Sequence, residues 1–170
     1  MIAARRSQVG HRLLAAVWVA LAIWPAALQA QDAVPEPIRW SVQPPALTMA
    51  RGARATVRLV GAITSGWHLY GMAETVGGPI PTRITLGPSP LFTFGGAIDA
   101  APPHRVFDAN FDMRVELYSE TASFRLPVRV SADAPIGTQT LTVSVRYQSC
   151  SDTLCLPPRT TQVAVPVTIR

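Results

Sequence analysis

Past the first thirty residues, apolar side chains recur at every second position, and no long segment repeats every 3.6. Successive side chains of an extended strand point to opposite faces, so apolar/polar alternation describes strands with one buried face. Ile38, Trp40 and Val42 alternate with Arg39 and Ser41, and Ala53, Ala55, Val57 and Leu59 with Arg54, Thr56 and Arg58. Ile84 and Leu86 flank Thr85; Met113, Val115 and Leu117 alternate with Arg114 and Glu116; Phe124, Leu126, Val128 and Val130 face away from Arg125 and Arg129. The clearest pattern sets Leu141, Val143, Val145 and Tyr147 against Thr140, Thr142, Ser144 and Arg146, and Val163, Val165, Val167 and Ile169 close the chain. With a short segment at Trp67–Tyr70 this makes about eight strands. Turn formers separate them at Gly77-Gly78-Pro79, Gly87-Pro88, Gly95-Gly96 and Pro135-Ile136-Gly137. The pattern predicts an all-β, immunoglobulin-like antiparallel β-sandwich of two sheets. Pro127 and Pro166 fall on the polar faces of their strands, which suggests edges or bulges.

The first thirty residues read differently. Arg5, Arg6 and Arg12 precede an unbroken apolar run from Leu13 to Ile23, and small residues follow at Ala26-Ala27-Leu28-Gln29-Ala30. Residues 1–30 are therefore expected to be a signal peptide cleaved near Ala30, too short in its apolar part for a membrane span. Residues 31–37, rich in acids and proline, are expected to be a flexible leader, and residues 38–170 a single domain. Without residues 1–30 the chain carries twelve arginines against ten acids, a net charge of +2, which gives no nucleic-acid footprint. A monomer in the periplasm is expected.

The chemistry concentrates in Tyr147-Gln148-Ser149-Cys150-Ser151-Asp152-Thr153-Leu154-Cys155-Leu156-Pro157-Pro158, which holds both cysteines of the chain. The best strand runs into Cys150, Ser151 and Asp152 favour a turn, and Pro157-Pro158 prevents a helix from starting behind Cys155. Two sulfurs facing each other across a short strand-to-strand connection are close enough to bond, and an exported chain with two cysteines normally forms one disulfide. A loop so short constrains the unfolded chain little, so stability is a weak reason for the bond. Spacing alone leaves open a redox-active dithiol, a structural hairpin disulfide, or Cu(I) held by the sulfurs with His68, His104 or a methionine. If the alternation of the strand persists through Ser149, Cys150 falls on the polar face with Ser144 and Arg146.

Two aromatic groups accompany the pair. In Gly66-Trp67-His68-Leu69-Tyr70, alternation puts His68 and Tyr70 on one face and Trp67 and Leu69 on the other. The plainest reading is a core tryptophan opposite a solvent-facing His–Tyr pair. The segment His104-Arg105-Val106-Phe107-Asp108-Ala109-Asn110-Phe111 reads as a polar loop with two large aromatics, either a plug for the sandwich end or a contact surface. A serine hydrolase is excluded by the lack of a glycine-flanked serine, and Gly77-Gly78-Pro79 opens no helix that could cradle phosphate.

Three motifs in order, Gly66–Tyr70, Gly77–Thr82 and Tyr147–Pro158, resemble the N-terminal periplasmic domain family of the thiol:disulfide interchange protein DsbD, over about residues 38 to 169. The resemblance implies an immunoglobulin-like domain whose cysteine pair relays electrons from a membrane reductant to periplasmic thioredoxin-fold proteins, with no cofactor or metal. It implies that Cys155 forms the mixed disulfide and Cys150 resolves it, and that Phe111, seven residues before Tyr118, caps the pair. His68 and Tyr70 match positions that line the pair in the family. The family's acidic residues just before the cap phenylalanine are Ala109 and Asn110 here, with Asp108 one step earlier, so Asp108 and Asn110 are the candidate site-lining residues on that loop. The family's membrane and C-terminal thioredoxin domains do not follow before Arg170, so a stand-alone protein with a separate membrane partner is expected. The rival expectation is a binding, chaperone-like or copper-handling sandwich with a structural disulfide.

Overall fold

Alternation of the kind read above requires a partner surface for each apolar face, and the chain supplies it with three small sheets. The structure, a computed structural model, describes residues 36–170, so the expectations for residues 1–30 and for the start of the leader lie outside the described residues. Pro37, at the end of the expected leader, is buried, and its carbonyl oxygen accepts the Thr64 N–H at 2.8 Å.

The described residues form thirteen strands and no helix. The first sheet holds, in spatial order, β1 (Ile38–Gln43), β3 (Arg54–Ile63), β10 (Thr121–Val130) and β6 (Phe92–Phe94), with β7 (Asp99–Ala100) also on β10. The second holds β2 (Leu47–Met49), β13 (Arg159–Ile169), β11 (Gly137–Tyr147) and β5 (Arg83–Leu86). Pairing is antiparallel except between β2 and β13, which run parallel. Val57, Leu59, Phe124, Leu126 and Val128 of the first sheet and Val143, Val145, Val165 and Val167 of the second are all fully buried in one common core. This is the immunoglobulin-like sandwich that the alternation requires. Trp40 lies edge-on to Tyr147 at a 5.4 Å centroid distance, and it has room because Gly61 is its cross-strand partner. A Cβ on Gly61 would come within 3.0 Å of the indole ring.

The proline expectation resolves at one strand in detail. Pro127 sits inside β10, in the gap between the stretches that β7 and β6 cover. Its carbonyl oxygen accepts the Gly95 N–H on that side, so its missing donor also faces the gap and the ladder to β3 loses nothing.

The third sheet departs from the two-sheet expectation. It contains β12 (Ser149–Ser151), β4 (Trp67–Tyr70), β9 (Met113–Ser119) and β8 (His104–Asp108), in that order. The segment expected to be a polar loop thus begins with a strand, β8, which forms a hairpin with β9. Single residues join this sheet to the other two. Glu120, at φ 65°, turns β9 into β10, and its carbonyl oxygen accepts the Ile63 N–H at 2.7 Å. Gln148 separates β11 from β12.

Candidate functional site: a capped cysteine hairpin

The step at Gln148 decides where the cysteines go. Alternation stops there: Tyr147, Ser149 and Cys150 are all buried, and Cys150 has no exposure at all. The expectation that Cys150 shares the polar face of Ser144 and Arg146 is therefore wrong, because the chain leaves the second sheet at Gln148 and enters the third as β12. Gln148 holds the joint. Its Oε1 accepts the Ile80 N–H at 2.9 Å, and its Nε2 donates to the Leu156 carbonyl oxygen at 3.5 Å.

Beyond β12 the chain turns back at once. The Ser151 N–H donates to the Leu154 carbonyl oxygen at 2.8 Å, the Leu156 N–H donates to the Ser149 carbonyl oxygen at 3.0 Å, and Cys150 faces Cys155 between these two bonds. That is the narrow, non-hydrogen-bonded kind of antiparallel pair, in which side chains approach most closely. Cys150 and Cys155 form a disulfide, with Cα atoms 4.1 Å apart. The Ser151 hydroxyl oxygen caps the turn by accepting the Leu154 N–H at 3.1 Å. The two cysteines are unequal in exposure, since Cys155 is partly exposed.

The floor under the pair comes from β4. Register places His68 directly beside Cys150 on one side and Ser119 on the other, while Tyr70 pairs with Leu117. Trp67 and Leu69 face the sandwich core, and Tyr70, Val115, Leu117 and Cys150 form a separate cluster with Phe111 and Cys155 packed against it. The two faces of β4 divide as alternation requires, but the His–Tyr face is not open to solvent: Tyr70 is 1 % exposed. Its buried carbonyl oxygen accepts the Thr82 hydroxyl at 2.6 Å, which ties the glycine-rich segment to β4.

The loop after β8 covers the cluster. Asp108 is buried at the end of β8, and its Oδ2 accepts the Tyr70 hydroxyl proton at 2.6 Å. With that proton committed, the Tyr70 oxygen is the acceptor for His68 Nε2–H at 3.1 Å. The other Asp108 oxygen accepts the Asn110 N–H at 2.8 Å, and the Asn110 side-chain amide donates to the Ser151 carbonyl oxygen at 3.1 Å. Phe111 stands edge-on to Tyr70 at 5.7 Å. The two aromatics of this segment therefore part company: Phe111 packs on the disulfide cluster, and Phe107 is 60 % exposed. Leu154, next to Cys155, is 50 % exposed.

Electrostatics follow from burial. Desolvation lowers the His68 pKa below its usual 6.5, with the Asp108 and Asp152 charges pulling the other way. Burial, then the hydrogen bond to Asp108 and its charge, raise the Tyr70 pKa far above the usual phenol value, so Tyr70 stays a neutral donor. A cleft of about 350 Å³ opens beside this network, lined by His68, Phe107, Asp108, Leu117 and Asp152 among others. His104, one of the ligands considered for copper, opens β8 two strands away from β4.

The structure thus brings Cys150, Cys155, His68, Tyr70, Asp108, Asn110 and Phe111 into one site. Thr82 and Gln148 also hold the site in place and were not singled out from sequence. Both lie inside the quoted motifs, but their partners are remote backbone atoms that a linear pattern does not reveal.

Among curated proteins no significant match is found. The crystal structure of the reduced DsbD N-terminal domain of Neisseria meningitidis is similar, at 18% identity over 69% of this chain and 82% of that one, with a TM-score of 0.47. The N-terminal periplasmic domain of ScsB from Proteus mirabilis is similar at 16% identity over 77% of this chain, with a TM-score of 0.48, and the match spans 45% of that chain. The sequence profile described as "Thiol:disulfide interchange protein DsbD, N-terminal" matches residues 40–166, and the chain belongs to that family.

Proposed function

We propose that Cys150 and Cys155 form a redox relay that takes two electrons from a membrane-embedded donor and passes them to oxidised thioredoxin-fold proteins in the periplasm. The observation that carries this reading is the unequal exposure of the two cysteines, Cys150 fully buried and Cys155 partly exposed. In the reduced pair, the Cys155 thiolate attacks a partner's disulfide; a Cys155–partner bond forms and one partner thiolate leaves. Cys150, deprotonated, then attacks the Cys155 sulfur. The intramolecular disulfide re-forms, the second partner thiolate leaves and takes up a proton, and the partner is reduced by two electrons. Cys150 need reach only Cys155, so its burial is no obstacle. Exchange with the donor dithiol runs the same steps in reverse. Phe111 serves as the cap over the pair, and His68, Tyr70 and Asp108 form the polar floor that holds the cap loop.

Export through residues 1–30, cleavage near Ala30, residence in the periplasm as a monomer, and service to disulfide isomerisation or cytochrome c maturation complete the proposal. The mass of the protein recovered from periplasm tests the cleavage.

Trapping tests the relay. Cys150→Ser accumulates a mixed disulfide between Cys155 and an oxidised thioredoxin-fold protein, because no resolving thiol remains, and Cys155→Ser accumulates little. Equal trapping by both variants, or trapping by Cys155→Ser alone, overturns the division of labour. The burial of Cys150 beneath the cap favours a structural disulfide as the second reading. Absence of any trapping, with a reduction potential below about −300 mV, selects it.

A further inference from the structure

The outer face of the first sheet carries charge that the cysteine chemistry does not use. Arg39 on β1, Arg54 and Arg58 on β3, and Arg125 and Arg129 on β10 are all exposed there. Register sets Arg58 directly opposite Arg125 and Arg54 directly opposite Arg129. Like charges directly opposite one another on a sheet repel and weaken the pairing. Among the described residues a single carboxylate on this face meets them: Asp99, presented by β7, pairs with Arg125. Arg39, Arg54, Arg58 and Arg129 make no ion pair among the described residues.

The spacing is regular. The two arginine rungs lie four residues apart along β3, about 13 Å, and Arg39 lies a further four residues along by its register with Ala62, so the charged row runs about 26 Å. Between the charges stand Ser41, Thr56, the half-exposed Val60, Ser123 and Pro127, and among the described residues the large apolar side chains that are exposed, Val76, Phe107, Ile136 and Leu154, all lie off these strands. Arg58 and Arg125 border a recess of about 260 Å³ together with the Asp99 carboxylate, so the free charge of the face rests on Arg39, Arg54, Arg58 and Arg129.

The centres of protein interfaces combine arginine with aromatic side chains and are otherwise depleted in charge, and the outward positions of β1, β3 and β10 hold five arginines and no aromatic. A guanidinium binds phosphate through two parallel hydrogen bonds, so a broad array of guanidiniums without an aromatic anchor is matched by a layer of phosphates. We propose that the outer face of the first sheet docks the domain on an anionic phospholipid surface, with headgroup phosphates relieving the repulsion within the Arg54/Arg129 and Arg58/Arg125 rungs. The disulfide cluster of Tyr70, Val115, Leu117 and Cys150 shares no residue with this face.

Vesicle sedimentation tests the proposal on protein purified as the cell processes it from the full-length gene. Binding is expected to vesicles of mixed phosphatidylglycerol and phosphatidylcholine, to weaken as salt rises toward about 150 mM, and to be absent from pure phosphatidylcholine. The triple variant Arg54→Gln/Arg58→Gln/Arg129→Gln is expected to bind on the order of a hundredfold more weakly. It keeps the parent's rate of disulfide reduction by dithiothreitol and melts no lower, because only repulsive pairs are removed. The double variant Arg54→Gln/Arg129→Gln falls between. Failure of the parent protein to bind anionic vesicles, as expected for a face that takes an acidic protein instead, overturns the proposal. Equal binding to neutral vesicles, or variant binding within about twofold of the parent, overturns it as well.

Discussion

The Asn110 side-chain amide reaches from the tip of the β8–β9 hairpin to the Ser151 carbonyl oxygen, one residue past Cys150, at 3.1 Å. This bond links the cap loop to the cysteine hairpin. Asp108 anchors the same loop from below, with one oxygen on the Asn110 N–H and the other on Tyr70. Asn110→Ala removes the link and leaves the anchor. A hydrogen bond of this kind has a net worth of about 0.5–1.5 kcal/mol, so the closed cap should lose roughly two- to tenfold in population relative to the open one. The rate of disulfide reduction by dithiothreitol should rise by the same factor, and melting should barely change.

Phe111→Ala acts on the same rate more strongly. The ring covers the cluster containing Cys150 and packs edge-on against Tyr70. Its loss opens the pair to small thiols, and the rate of reduction should exceed that of Asn110→Ala. Because Phe111 is only half-buried, the loss of stability should be roughly 1–3 kcal/mol, below the ~3–5 kcal/mol of a fully buried ring. Urea unfolding measures the second effect, and a rate equal to that of the parent protein would remove the cap role.

His68 gives the stability a pH dependence. Its folded-state pKa is depressed below 6.5 by burial, so the unfolded chain takes up the proton first as pH falls. The neutral imidazole's contribution is complete above pH 6.5 and is lost as pH drops from there toward the lower, folded-state pKa. His68→Gln should flatten the melting temperature over that window and leave it unchanged in slope above pH 7. The same slope in both proteins would mean that another group titrates there.

Thr82 fixes β4 from outside the third sheet. Its hydroxyl donates to the buried Tyr70 carbonyl oxygen, and the residue itself has no exposure. Thr82→Val keeps the shape but leaves the carbonyl short of a partner, at about 1–3 kcal/mol. Urea unfolding should show that loss, whereas Thr82→Ser, which keeps the hydroxyl, should recover most of it.

Eight of the thirteen strands are legible as alternation: β1, β3, β4, β5, β9, β10, β11 and β13. Four of the other five, β2, β6, β7 and β12, are two or three residues long, too short for any period to register. The fifth, β8, is a five-residue strand with only Val106 turned onto the cluster as an apolar residue, so it reads as polar loop. The third sheet is built from three short strands and β9, which is why it escaped a reading based on period. The meeting of Cys150 with Cys155 was legible because it depends on a local turn. The burial of Cys150 was not, because it depends on a single joint, Gln148, whose partners Ile80 and Leu156 no local pattern supplies.

The narrow pairing of Cys150 with Cys155 also shapes the edge of the third sheet. The hairpin arm after Leu154 forms the outermost edge of the third sheet, and open sheet edges invite further strands to add on. Leu154 and Leu156 spend their backbone groups inward, on Ser151 and Ser149. Pro157 and Pro158 have no N–H to offer. From Leu154 to Pro158, the one outward-facing amide belongs to Cys155. An invading strand therefore finds a single donor where it needs a row, and this edge is blunted at the partly exposed cysteine.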